Sequence, residues 1–182
     1  MRKKKKQKLK EQRFWGTFAF FSRPQLPDGI PTQLERVNFR IWERVTDEEI
    51  ELMVTHVQSI DMLDLDETEI TNDAIEQLTK LSFIKELRLK GCNEIDDAAI
   101  VHINKLKGLE LLHLGGTCVS VDGLLQLSAD HPLHTLLVSV DEPEKYTSEL
   151  TTLALRFPAC QLIVNHKDFI ATHTMDNINN GQ

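Results

Sequence analysis

The stretch of sequence that decides the fold is Ile84-Lys85-Glu86-Leu87-Arg88-Leu89-Lys90-Gly91-Cys92-Asn93-Glu94-Ile95-Asp96-Asp97-Ala98-Ala99-Ile100. It opens with a frame L-x-x-L-x-L, and a turn, a polar N-cap and apolar residues at helical spacing follow. The frame returns every 24 to 26 residues, beginning also at Leu34, Ile60, Leu109, Leu133 and Ala159, with a degenerate first and last copy. A repeat of this length predicts stacked strand–turn–helix units with six strands.

The helical part of each unit has its own signals. Apolar residues recur at i, i+3 and i+4 steps, as in Ile75, Leu78 and Leu81, which is the spacing of one buried helix face. Thr46 followed three residues later by Glu49 forms a capping box. The sequence places the remaining helix N-caps at Thr71, Asp96, Ser120 and Thr147 or Ser148.

Residues 34–165 resemble the leucine-rich-repeat proteins, and the stretch from Leu87 to Ile100 resembles their cysteine-containing subclass, L-x-L-x-x-C-x-x-I-T-D-x-x-L. That subclass occurs in F-box substrate receptors and in small stand-alone adaptors, although this chain has no evident F-box. The resemblance implies an α/β fold: a right-handed solenoid of about five to six repeats, with a parallel sheet on the concave side and helices on the convex side. It implies no chemistry.

The chain divides into four parts around this solenoid. Residues 1–13 are predicted to be a disordered basic arm, and residues 14–33 an aromatic N-terminal cap with a Pro-rich connection. Residues 34–165 form the solenoid, and residues 166–182 a C-terminal cap and a frayed tail. The arm holds eight basic residues and one acidic residue, a charge of +7, which leaves −14 on the rest of a chain whose net charge is −7.

The resemblance also predicts which strand residues face a partner. Acidic residues of the second unit lie beside basic residues of the third, so Asp64 faces Arg88 and Asp66 faces Lys90. The purely structural interpretation is that these charges pair with each other and set the register of the strands. Leu111, Leu137 and Ile163 form an apolar file at solvent-facing positions. Two interpretations of the file remain open: a partner covers it, or the chain from His166 onward folds back over it. The predicted partner-binding residues are Arg88, Lys90, Leu111, His113, His134, Leu137 and Ile163.

The arm and the aromatic residues after it allow three interpretations. The aromatic stretch caps the first repeat while the lysines are solvated, or the segment attaches to anionic lipid, or it binds RNA with lysines on phosphates and rings stacked on bases. The residues concerned are Lys3, Lys4, Lys5, Lys6, Lys8, Lys10, Phe14 and Trp15.

Enzymatic and metal-dependent functions have little support in the sequence. The cluster Asp61, Asp64 and Asp66 lacks the glycine and distal glutamate of a calcium loop, so no metal or other cofactor is expected. Cys92 and Cys118 are predicted to be buried in turns. We also expect no small-molecule substrate.

Two further features concern the compartment. The three cysteines are odd in number and form no CxxC pair, which favours a reducing, cytoplasmic compartment. The longest apolar run, residues 14–21, falls short of the roughly 20 residues that a membrane span needs. The sequence therefore predicts a cytoplasmic, non-enzymatic adaptor that binds a protein through its concave face; the alternative is a peripheral anchor that uses the arm.

Overall fold

The computed structural model describes residues 2–21, 29 and 31–171. The fold is α/β, with seven strands in the spatial order β1 to β7. The strands are β1 Gln33–Asn38, β2 Ser59–Asp64, β3 Phe83–Arg88, β4 Leu111–Leu114, β5 Thr135–Val138, β6 Gln161–Val164 and β7 Lys167–Asp168. The first six pair in parallel and β7 pairs antiparallel with β6.

One helix, α1 Arg2–Phe21, precedes the first strand, and helical segments connect the parallel strands that follow. The connecting segments are α2 Asp47–Val54, α3 Asn72–Leu78, a 3-10 turn Asp97–Ala99 that runs into α4 Ile100–Ile103, α5 Val121–Leu124, and a second 3-10 turn Pro143–Tyr146 that runs into α6 Thr147–Arg156. Each crossover returns the chain to the next strand in line, so each strand of the parallel part lies beside its predecessor.

The six predicted strands are confirmed, and their register follows the sequence repeat. Ile60 lies opposite Ile84, and Leu63 lies opposite Leu87. All frame residues of the six copies are buried except Ala159. They form one hydrophobic core together with helix residues such as Ile75 and Leu78. The core therefore runs continuously between the sheet and the helices.

The predicted N-caps are confirmed for four helical segments and wrong for α6. The Thr46 capping box is present, and the side chains of Thr71, Asp96 and Ser120 accept hydrogen bonds from backbone N–H groups of the following turn. The N-cap of α6 is Tyr146, without a side-chain hydrogen bond, because Thr147 already has helical backbone angles, φ −57° and ψ −36°. The Thr147 hydroxyl instead donates to the Glu144 carbonyl at 3.0 Å.

A ladder of hydrogen bonds joins successive units at the helix N-termini. In each step, the residue after one N-cap holds the N-cap of the next unit. Asp47 accepts from the Thr71 N–H and hydroxyl, both at 2.8 Å, and Asp97 accepts from the Ser120 N–H and hydroxyl at 2.7 and 2.6 Å. Asn72 and Asp96 make the intermediate step at 2.7 and 3.2 Å. The ladder fixes the spacing between units at the helix N-termini.

The N-terminal part differs from the disordered arm that the sequence predicts over residues 1–13. One helix, α1, runs through it into the aromatic stretch. Lysine, arginine and glutamine are good helix formers, and burial of Phe14, Trp15 and Phe18 anchors the C-terminal half of the helix. Residues 22–28, which contain most of the predicted Pro-rich connection, lie outside the described residues.

The C-terminal segment extends the sheet instead of lying across it. After β6 the chain turns at Asn165 and His166, both with positive φ, and β7 pairs with β6 so that Asp168 lies opposite Ile163. Phe169 packs against the core, whereas Ile170 is 81% exposed. The segment therefore pairs with the last parallel strand, and residues 172–182 of the predicted C-terminal cap and frayed tail lie outside the described residues.

Candidate functional site

The side of the sheet that faces away from the buried frame residues is called the open face here. Its central row consists of strand residues that lie in register: Asn38, Asp64, Arg88, His113, Leu137 and Ile163. Neighbouring strands are about 4.8 Å apart. The row therefore changes from polar and charged side chains to apolar ones over about 24 Å.

The register corrects the predicted apolar file. Leu137 and Ile163 are neighbours in the central row, but Leu111 lies opposite Glu86 and Thr135, in the adjacent row. The reason is that Leu111 occupies the third frame position and the other two residues occupy the fifth. Two positions along a strand correspond to about 6.6 Å, so the apolar surface is a pair with one flanking leucine.

The charges of the third unit also differ from the predicted pairing. Asp64 and Arg88 are in register as expected, but the Arg88 guanidinium lies 3.3 Å from Glu86 on its own strand. Asp66 is buried, and one of its oxygens accepts the Lys90 backbone N–H at 2.8 Å. Burial raises the pKa of Asp66 above its ordinary value, against this hydrogen bond. Asp66 therefore binds the Lys90 backbone N–H and forms no ion pair with the Lys90 side chain among the described residues.

The predicted residue His134 lies apart from the central row. It precedes β5, its side chain is 67% exposed, and its Nδ1 lies 3.7 Å from Glu110. Glu110 also contacts the Lys85 ammonium at 3.3 Å. The structure thus brings Arg88 and His113 together with the apolar pair and places His134 in a separate group of charges.

A shallow depression of about 150 Å³ adjoins the central row. Residues that line it include Glu67, Lys90, His113, Leu137, Ile163 and His166. Gly115 also lines the depression, and a Cβ there would lie 2.9 Å from His113 Nε2, so a larger residue would crowd the imidazole. Burial lowers the pKa of His113 below its ordinary value, and the Lys90, Arg88 and His166 charges lower it further while Asp66 opposes them. His113 is therefore held toward its neutral form, which can both donate and accept a hydrogen bond.

Sequence reasoning missed two residues of this depression. Glu67 and His166 have φ values of 62° and 66°, a left-handed conformation that non-glycine residues seldom adopt. In each case the chain turns back just after a strand and brings the side chain to the open face. Neither residue belongs to the L-x-x-L-x-L frame. Their positions depend on the left-handed turns, and the frame does not predict these turns.

The aromatic residues that lipid insertion or base stacking would use are in the core. Phe14 is 5% exposed and Trp15 is 9% exposed. Their rings contact each other at a centroid distance of 4.8 Å, and the Phe14 ring lies 5.6 Å from that of Trp42. The packing follows the capping interpretation for these rings. Lys4, Lys5, Lys6 and Lys8 are exposed, and Lys10 forms an ion pair with Glu48; the Lys3 side chain is outside the described atoms.

The cysteines are only partly as predicted. Cys92 is fully buried and its thiol donates to the Leu65 carbonyl at 3.1 Å. Cys118 is exposed, because Thr117 occupies the turn position equivalent to Cys92 and donates to the Leu114 carbonyl at 2.8 Å. Burial raises the pKa of Cys160 to about 11, which suppresses its nucleophilic thiolate form.

Over the described ranges, no group of three or more His, Cys, Asp or Glu side chains could hold a metal ion. No helix among those same residues is long and apolar enough to cross a membrane. The open face offers a cation, a neutral imidazole and an apolar pair in one line. No known family model matches the chain, and no curated protein matches its sequence.

Proposed function

We propose that this chain is a leucine-rich-repeat solenoid that acts as a non-enzymatic protein-interaction module. Its partner binds the open face, the concave side of such a solenoid, along the central row. The repeat of 24 to 26 residues and the one-after-another order of the parallel strands support the architecture. A cytoplasmic location is part of the proposal and rests on three free cysteines.

The observation that carries the proposal is the position of Leu137 and Ile163. Both side chains are half-buried on a sheet face, and in the part of the chain that the structure describes the segment after β6 pairs beside that strand instead of covering them. Adjacent apolar side chains on such a surface are typical of contact sites. The polar end of the row fixes the orientation of the partner, because the partner must place different chemical groups at the two ends of the row.

The row also defines the partner's chemistry. Arg88 lies two strands from Leu137, a distance of about 10 Å. A partner with a carboxylate about 10 Å from an apolar side chain satisfies both positions. The Arg88–Glu86 pair does not prevent this, since the Arg88 side chain is 35% exposed and exposed ion pairs contribute little. His113 lies between the two positions and offers a neutral hydrogen-bonding group.

The experiment is a matched affinity capture from lysate of the source organism. The open-face variant combines Arg88→Glu with Leu137→Asp. The control makes the same changes on the helical side, where Lys105 and Val101 are exposed, as Lys105→Glu with Val101→Asp. Circular dichroism first establishes that both variants fold.

The expected result is one protein that the wild type and the helical-side variant retain and the open-face variant loses at least tenfold, which corresponds to about 1.4 kcal/mol. Equal retention by the open-face variant overturns the proposal. Capture of no protein by the folded wild type overturns it as well.

A further inference from the structure

The N-terminal half of α1 is a strongly charged surface that the open face does not use. Every described side chain in residues 4–9 is exposed, so this part of the helix does not pack against the body. Lys10 marks the point of contact with the body through its ion pair with Glu48. The lysines before it, Lys4, Lys5, Lys6 and Lys8, have no acidic neighbour within salt-bridge distance among the described residues.

The distribution of these lysines around the helix indicates what kind of polyanion they fit. At 3.6 residues per turn, Lys4, Lys5 and Lys6 spread over more than half of the circumference. Leu9 is the one apolar residue between Lys4 and Arg13. Helices that lie in a membrane surface need a continuous apolar face, and the rings that could supply one are buried. A flat anionic membrane therefore reaches only some of these charges.

A groove with phosphates on both walls reaches cations on opposite sides of a helix. An α-helix with side chains is about 10–12 Å wide, and the major groove of B-form DNA is about 12 Å wide and admits one. The major groove of duplex RNA is deep and narrow. We propose that the exposed half of α1 docks in the major groove of duplex DNA. Its lysines bind the phosphates, and the helix does not recognise the base sequence.

The acidic body does not prevent this contact. Residues outside the arm carry a formal charge of −14. Lys4 lies six residues, or about 9 Å of helix axis, beyond Lys10, and that distance is about one Debye length at physiological ionic strength. Repulsion by the body is therefore largely screened at Lys4 and less so at Lys6 and Lys8, which lie about 6 and 3 Å beyond Lys10 along the helix axis.

The test measures binding of a short fluorescein-labelled DNA duplex by anisotropy at several KCl concentrations. Four phosphate contacts predict that log Kd rises with log[KCl] with a slope of about 3.6. Between about 50 and 200 mM KCl the affinity then falls about 150-fold. Two duplexes of unrelated sequence are expected to bind equally.

Matched variants locate the contact. The arm variant replaces Lys4, Lys5, Lys6 and Lys8 with Gln, which keeps helix propensity and leaves the buried rings in place. The control replaces four exposed lysines of the body, Lys80, Lys105, Lys107 and Lys145, with Gln. The arm variant should abolish the salt-dependent binding, and the control should retain it with at most a small loss, because the control makes the body more acidic.

Five results would overturn the proposal. Three concern the ligand: no DNA binding by the wild type, tighter binding to duplex RNA of the same sequence, and binding to phosphatidylserine vesicles without binding to DNA. The other two are equal loss in the control and arm-dependent self-association at low salt in place of DNA binding. The open-face variant should bind DNA like the wild type, so failure here is distinct from failure of the proposed protein-binding function.

Discussion

Replacement of Phe18 by alanine tests whether α1 is part of the folded unit. Phe18 is 1% exposed. Its ring lies 5.3 Å from the Trp15 ring, 6.3 Å from Phe39 and 6.4 Å from Trp42, measured between centroids. Phe39 is the last frame residue of the first unit, so the contact joins the helix directly to the first strand region of the sheet.

The magnitude follows from the burial of this ring. A fully buried Phe→Ala substitution costs about 3–5 kcal/mol. With a urea m-value of about 2–3 kcal/mol/M, the unfolding midpoint falls by about 1–2.5 M. Both tryptophans of the chain, Trp15 and Trp42, belong to this cluster, so tryptophan fluorescence reports specifically on the cap while circular dichroism reports on the whole chain.

The assay is urea denaturation followed by both signals, with Leu9→Ala as the control. Leu9 lies on the same helix and is 49% exposed, and alanine favours a helix at least as well as leucine. The control should therefore change the midpoint by less than about 0.3 M. If Phe18→Ala moves the fluorescence midpoint no more than the control does, α1 does not pack on the first unit and the capping argument is refuted.

Two further predictions concern the ladder and the cysteines. Asp97→Ala should lower the free energy of unfolding by about 1.5–3 kcal/mol, the range for hydrogen bonds to a charged group. Gly123→Ala should also lower it, because the new Cβ would lie 2.0 Å from Asp97 Oδ1, and in the Asp97→Ala background the glycine substitution should cost much less. Additive effects of the two substitutions in denaturation experiments would contradict the contact. In the native protein at pH 8, a thiol reagent should modify exposed Cys118 first, Cys160 slowly because its pKa is raised to about 11, and buried Cys92 last; peptide mapping of the labelled protein checks the order.

The repeat could be predicted from sequence because it is written in side chains that the core requires. A polar residue at the position of Leu63 or Leu87 would bury an unsatisfied group, so the frame is visible in the residue types themselves. The frame also shows that Leu111 and Leu137 stand two positions apart along their strands. Grouping apolar residues by sheet face alone ignores this difference and places them wrongly in one file. The orientation of Glu67 depends on a left-handed turn, and no residue type in the sequence marks it.

The N-terminal helix was missed for a different reason. A run of like charges is typical of solvated tails, and repulsion between lysines four residues apart opposes a helix. What offsets this in the structure is the anchoring of the same helix by Phe14 and Phe18 in the first unit. Tertiary contacts at one end thus order a segment whose own residues favour a helix only weakly. Composition changes at residue 13 and predicts a boundary between arm and cap there, but the helix continues through it.

The open face is free to carry function because two other parts of the fold already set the register. The frame residues fix it in the core, and the ladder of Asp47, Asn72 and Asp97 fixes it at the helix N-termini. The sequence suggests a third device, ion pairs between the second and third strands, but Arg88 pairs within its own strand. Since the central row is not needed to hold the units together, substitutions there should change binding with little effect on unfolding, whereas ladder substitutions should do the reverse.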